Sequence, residues 1–200
     1  MNRKRYQTLF NFFLLCIIIT GICFRFTNMD WDSGALLHPD EYGLTNTLTR
    51  LFIPRSIGNY FNTRESTLSP YNQYDLNGQK TADGPDNRMR WGQLPMLIIR
   101  LTAEAVNTTG YTELRRSGRY VSAAIDTGTL ILLFMMTWML FHSLSMALLS
   151  TALSSMAVMQ IQQSHFMTVD SFAVFFCMLT LLAAVKISQS GMIRKDARGI

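Results

Sequence analysis

Residues Tyr6–Phe24 read YQTLFNFFLLCIIITGICF, 19 positions without an Asp, Glu, Lys or Arg. At about 1.5 Å per residue an α-helix of that length is roughly 28 Å long, close to the hydrocarbon thickness of a bilayer. Arg3, Lys4 and Arg5 precede the run, and a basic flank keeps that end on the cytoplasmic side. A cleaved signal peptide would carry a shorter apolar core, about 7–15 residues, ending at a small-residue site. Here the run continues into CFRFTNMDW (Cys23–Trp31), and neither Cys16 nor Cys23 follows a small residue as a lipoprotein site would require. The stretch therefore reads as an uncleaved transmembrane helix within residues 1–26.

The rest of the chain fits that start. Of 200 residues 48% are hydrophobic and 16% charged, against about 25% charged in an ordinary soluble domain. That excludes a disordered chain, and three Cys are too few for a disulfide scaffold. The net charge of +5 would suggest nucleic acid only if the basic residues shared a soluble face. They flank apolar segments instead, so no nucleic-acid partner is expected.

Residues 27–118 change character. They hold nine Lys/Arg and ten Asp/Glu, with turn signals such as LNG and DGPDN, and form a near-neutral loop on the external side. Within it, Leu44, Leu48, Leu51 and Phe52 mark a helical stretch. Three further spans are predicted at about 119–141, 144–163 and 169–186, the first interrupted only by Asp126. Lys186, Arg194, Lys195 and Arg198 follow.

The segment at about 91–106, WGQLPMLIIRLTAEAV, could be a fifth span. Four spans leave both basic ends cytoplasmic and five would not. Arg100 and Glu104 share one helical face, opposite Leu94, Leu97, Ile98, Leu101 and Ala105. A charge at bilayer depth costs about 2.5–3.5 kcal/mol, so the segment reads as an amphipathic helix lying on the outer surface. The expected fold is all-α and integral to the membrane, with four transmembrane helices and a long external loop carrying interfacial helices.

Two acidic patches fall on that external side: His38-Pro39-Asp40-Glu41, and His165 to Asp170. An aspartate at the membrane surface can serve as a general base toward a hydroxyl. The same placement suits a helix cap, with Asp40 capping a helix that starts at Glu41. Asp170 admits the same two readings, and His165 can be a proton carrier, a ligand or a water-satisfied interfacial side chain. Asp126 lies within the second span, where a carboxylate normally faces a partner or a wet cavity. Arg119, seven residues earlier, is the nearest cation along that helix, and a guanidinium suits phosphate. Asn107-Thr108-Thr109 matches a glycosylation sequon, and Cys16, Cys23 and Cys177 all fall within spans. No P-loop, Rossmann glycine pattern, metal-ligand spacing or repeat occurs.

The ordered set of a basic N-terminus, one span, HPDE, WGQLPMLIIRL, SGRYVSAAIDTGTLILL and SHFMTVDSFAVFF resembles the membrane glycosyltransferases of the GT-C fold. The nearest likeness is to family 39, the protein O-mannosyltransferases, aminoarabinose transferases and their bacterial relatives. The resemblance implies that the 200 residues correspond to the N-terminal part of such an enzyme, in a bacterial inner or plasma membrane. It implies transfer of a sugar from a polyprenyl-phosphate donor to a hydroxyl on an external glycan, lipid or protein. Asp40 would be the base, with Glu41 beside it and Asp170 in support. Arg119 would bind the donor phosphate with Arg88 and Arg90, and His38 and His165 would line the substrate site. A divalent metal is compatible with the acidic patches but not required, and Gln93 and Leu94 stand where some relatives carry an acidic-basic pair. Two other classes fit the same composition. A transporter-like subunit would need ionisable groups at every depth of the bundle. A non-catalytic scaffold binding a partner through its external loop would be preferred if Asp40, Arg119 and Asp170 lay more than about 15 Å apart, too far for one site.

Overall fold

The computed structural model describes residues 3–35, 37–53, 56–62, 66 and 92–196. The described residues form helices and turns and include no strand. In chain order the helices are α1 (Arg3–Phe26), α2 (Pro39–Thr49), α3 (Ile57–Phe61), α4 (Gln93–Ala105), α5 (Tyr111–Phe141), α6 (Leu144–Ser155), α7 (Val158–Ser164) and α8 (Asp170–Asp196). They divide into two compact units. An apolar unit holds Met1–Thr27, Ser122–His165 and Asp170–Ile200, and a polar unit holds Asn28–Val121 and Phe166–Val169.

Among the described residues three helices are long and apolar enough to cross a membrane: Lys4–Phe26, Tyr111–Phe141 and Asp170–Ser190, the second beginning in the polar unit and the others lying in the apolar one. Their outward positions carry large apolar side chains, such as Phe12, Phe13 and Leu15 on α1 and Trp138 and Leu140 on α5. A helix with apolar residues on all sides is suited to a lipid surround. Inside, small residues set the contacts. A Cβ on Gly21 would lie 2.8 Å from Leu130 Cδ1 and 3.2 Å from Ser155 Cβ, so α1, α5 and α6 approach as closely as a hydrogen side chain allows.

The predicted span 144–163 is not one straight helix. α6 and α7 meet at 59° across a break at Met156–Ala157, the geometry of a broken span or of a re-entrant loop. Bending frees carbonyls at the end of α6, which need new donors. Arg25 supplies them: its Nη1 donates to Ser155 O at 3.1 Å and to Gly21 O at 3.2 Å, and its Nη2 to Ser154 O at 3.3 Å. The remaining donor, Nε, lies 2.6 Å from Asp126 Oδ2. Asp126 thus pairs with Arg25, not with Arg119.

In the polar unit, Leu44, Leu48 and Leu51 are buried, as are Met96, Ile99 and Ala103 of α4, and α2 contacts α4. The orientation of α4 has a consequence for its charge. Its inward face carries Arg100, 4% exposed, while Leu94, Leu101 and Ala105 point outward. The Arg100 charge is met by Glu104 at 2.7 Å, by the Leu48 carbonyl at 3.0 Å near the C-terminus of α2, and by the Phe52 ring face. A cation at a helix C-terminus also meets the negative end of the backbone dipole.

Candidate functional site

The HPDE turn opens α2. Pro39 stands at the first helical position, where its missing N–H is no loss, and His38 is the N-cap residue with no side-chain cap bond. Asp40 therefore lies inside the first turn and does not cap the helix as one of the two sequence readings had it. The two adjacent carboxylates then diverge by about 100° around the helix axis. Asp40 is exposed, whereas Glu41 is fully buried.

Glu41 enters a closed ionic network. Its Oε1 accepts Arg119 Nε at 2.7 Å and the Met167 backbone N–H at 3.0 Å, and its Oε2 accepts Arg119 Nη2 at 2.6 Å. Arg119 also donates Nη1 to Met29 O at 2.8 Å and to Asp32 Oδ1 at 3.0 Å, and Nη2 to Asp32 Oδ2 at 2.8 Å. All five guanidinium hydrogens are thereby directed at acceptors of the protein itself. Arg115, one turn earlier, donates Nη1 to both oxygens of Asp32 at 2.7 and 2.9 Å, and Nη2 to Asp30 at 2.8 Å. Arg116 closes the exposed rim through the other Asp30 oxygen at 2.9 Å. Trp31 lies over the Arg119 guanidinium, 5.7 Å from ring centroid to carbon.

The charges balance. Asp32 and Glu41 face Arg115 and Arg119, and all four are buried. The Arg119 hydrogen bond, reinforced by those of Arg115 and the Gly34 N–H, holds the Asp32 carboxyl well below the usual carboxylate range, against the opposing pull of burial.

This arrangement corrects the expected part of Arg119. It is 0% exposed with every donor engaged, so it offers no free fork to a donor phosphate and instead fixes the start of α2. Arg88 and Arg90 lie outside the described residues. His38 packs on Phe166 with centroids 4.7 Å apart, and its Nδ1 has no hydrogen-bond partner in the protein. Asp40 and Tyr42 are exposed, while His38 is half-buried with its Nδ1 inside.

The remaining candidates belong to the apolar unit. His165 is spent on backbone, with Nδ1 2.7 Å from Ile161 O and Nε2 2.8 Å from Thr27 O; neither ring nitrogen is left for a substrate. Asp170 is the first residue of α8, is exposed, and accepts the Gln163 amide at 2.7 Å. It borders a cavity of about 380 Å³ that Asp126 also lines. Among the described residues no group of three or more His, Cys, Asp or Glu could hold a metal ion.

Sequence reasoning passed over Asp32, Arg115 and Arg25. A signal existed for one of them: Arg115, Arg119 and Ser122 recur at helical spacing on α5, which marks Arg115 as a companion of Arg119. Comparison with family models, curated proteins and solved structures finds no match for the chain.

Proposed function

We propose that the chain acts as a membrane glycosyltransferase that moves a sugar from a polyprenyl-phosphate carrier to an acceptor hydroxyl, with Asp40 as the base. The observation that carries this reading is the division between the two adjacent carboxylates. Glu41 is locked by Arg119 and the Met167 N–H, and Asp40 beside it is left exposed on a fixed first turn. A base held at a set position by its neighbour's network has the preorganisation that acyl and glycosyl transfers exploit. The ordered motifs along the chain and its membrane-spanning helices support the same reading.

In the proposed reaction the acceptor O–H gives its proton to Asp40 while its oxygen forms a bond to the anomeric carbon. The bond from that carbon to the carrier phosphate breaks, and the phosphate oxygen leaves with the electron pair. Arg119 acts through Glu41 as a positioning residue. Arg88 and Arg90 remain the candidates for the phosphate, and Asp170 a candidate for electrostatic support. The positive-inside rule supports a cytoplasmic N-terminal flank and, with it, residues 27–118 on the outer side in this reading. There the outward Leu94 and Leu101 of α4 can lie in the headgroup region. The pairing of Asp126 with Arg25 removes the bare intramembrane carboxylate that would favour an ion path.

The test is transfer in membranes expressing the protein, supplied with a radiolabelled sugar on polyprenyl phosphate. Label should pass to a carrier-free product, with release of polyprenyl phosphate. Transfer no greater than in membranes lacking the protein would refute the proposal.

A further inference from the structure

Asp40 is bracketed in sequence by two residues that one short, distant segment holds. Before it, the His38 ring packs on Phe166 with centroids 4.7 Å apart. After it, the Glu41 carboxylate accepts the backbone N–H of Met167, 126 residues away, at 3.0 Å. Phe166 and Met167 belong to the polar unit together with α2 and the first turns of α5. The Met167 side chain is fully buried and lies against Gly118 of α5. A Cβ at Gly118 would stand 3.1 Å from Met167 Cβ and would overlap Met167 Cγ and Sδ. Gly118 does not have the positive φ that would call for glycine, and glycine inside a helix is less favourable than alanine. What it provides is therefore close approach.

We infer that Gly118 and Met167 are positioning residues for Asp40. The missing side chain at 118 lets Met167 approach α5 closely enough for its N–H to hold Glu41, and Glu41 fixes the turn that carries Asp40. The catalytic consequence rests on the reading of Asp40 as the base; the contact itself rests on the geometry. Methionine is flexible at its far end, so Cγ and Sδ could yield to a methyl group at 118. Its Cβ cannot move without the backbone, and the N–H bonded to Glu41 is part of that backbone. Arg119 would keep its two bonds to Glu41 at 2.7 and 2.6 Å, so the buried charges stay balanced. A side chain at 118 therefore displaces the turn and does not dismantle the network.

The test compares wild type, Gly118→Ala and the double variant Gly118→Ala with Met167→Ala, each as the full chain. Hydrogen exchange at the residue 167 amide, resolved by fragmentation mass spectrometry in micelles, reads the bond to Glu41 directly. Gly118→Ala should quicken it roughly tenfold or more, the loss of a hydrogen bond to a charged group. In the transfer assay, normalised to folded protein, kcat should fall by up to roughly a hundredfold, as a displacement of about 1 Å can bring, with little change in KM. The double variant removes the overlapping Cγ and Sδ, and both exchange and kcat should recover most of their loss. A purely structural role predicts the opposite, because a second large-to-small change in a core adds a cavity. A single variant that does not fold beside a double variant that does reads the same contact and supports it. The inference is overturned by unchanged exchange in Gly118→Ala, by a double variant that recovers nothing or does not fold, or by unchanged kcat despite quickened exchange. If wild type transfers no label, the transfer reading falls, and exchange with its recovery still decides the contact.

Discussion

Replacing Glu41 by Leu and Arg119 by Met, singly and together, probes the network that fixes α2. Each single change leaves an unbalanced charge in a buried place. With Leu at position 41, Asp32 is the one buried carboxylate left to Arg115 and Arg119, with Asp30 at the exposed rim, and the Arg119 Nε and Nη2 lose the partners now at 2.7 and 2.6 Å. With Met at position 119, Asp32 and Glu41 face Arg115 alone. Removing one partner of a buried pair costs about 3–5 kcal/mol. Two independent losses would therefore total roughly 6–10 kcal/mol. The double variant is different, because Arg115 and Asp32 still balance at 2.7 Å. Its residual cost is the Met29 carbonyl and the Met167 N–H left unpaired, about 1–3 kcal/mol each. At the midpoints of these ranges the double variant should thus be more stable than the sum of the singles by about 4 kcal/mol, a coupling well outside ordinary additivity. Equilibrium unfolding of the purified chain in mixed detergent micelles measures all four corners. Single variants within about 1 kcal/mol of wild type, or a coupling below about 0.5 kcal/mol, would refute the claim that a closed network holds the turn.

Two further outcomes follow from the same geometry. The folded-state pKa of Asp32 is depressed, so its stabilisation is present above the unfolded carboxylate value near pH 3.9 and is lost as pH falls through the lower folded value. Wild type should show this acid-dependent loss below about pH 4, and Asp32→Asn should lower stability at neutral pH and remove that part of the slope. An Asp32→Asn variant with an unchanged acid limb would contradict the assignment. Arg25→Lys keeps the charge but not the fork that reaches Asp126, Gly21, Ser154 and Ser155. It should cost about 2–4 kcal/mol, and wild-type stability would show that the α6 carbonyls find donors elsewhere.

The helices long and apolar enough to cross a membrane were legible because a long run without charge has few other uses, and α4 because its two faces separate at a period of 3.6. Legibility ended where partners are distant in sequence. Arg25 and Asp126 are 101 residues apart, and nothing local to either names the other. The break at Met156–Ala157 lies in SSMAV, without Pro or Gly to mark it, and depends on a guanidinium from α1. The split between Asp40 and Glu41 was readable in principle. Glu41 continues the spacing of Leu44, Thr45 and Leu48, all buried, so the helical period already assigned it to the inner face. Nothing in that pattern could say that the acid would meet Arg119, and a free guanidinium was therefore expected where a fully engaged one is found.

The separation of roles between the adjacent acids is tested most directly by sugar transfer in membranes carrying Asp40→Asn, normalised to folded protein. Asp40 is exposed and outside the network, so the variant should insert and unfold like wild type yet transfer no detectable label. Transfer at the wild-type rate by a correctly folded Asp40→Asn protein would contradict the account.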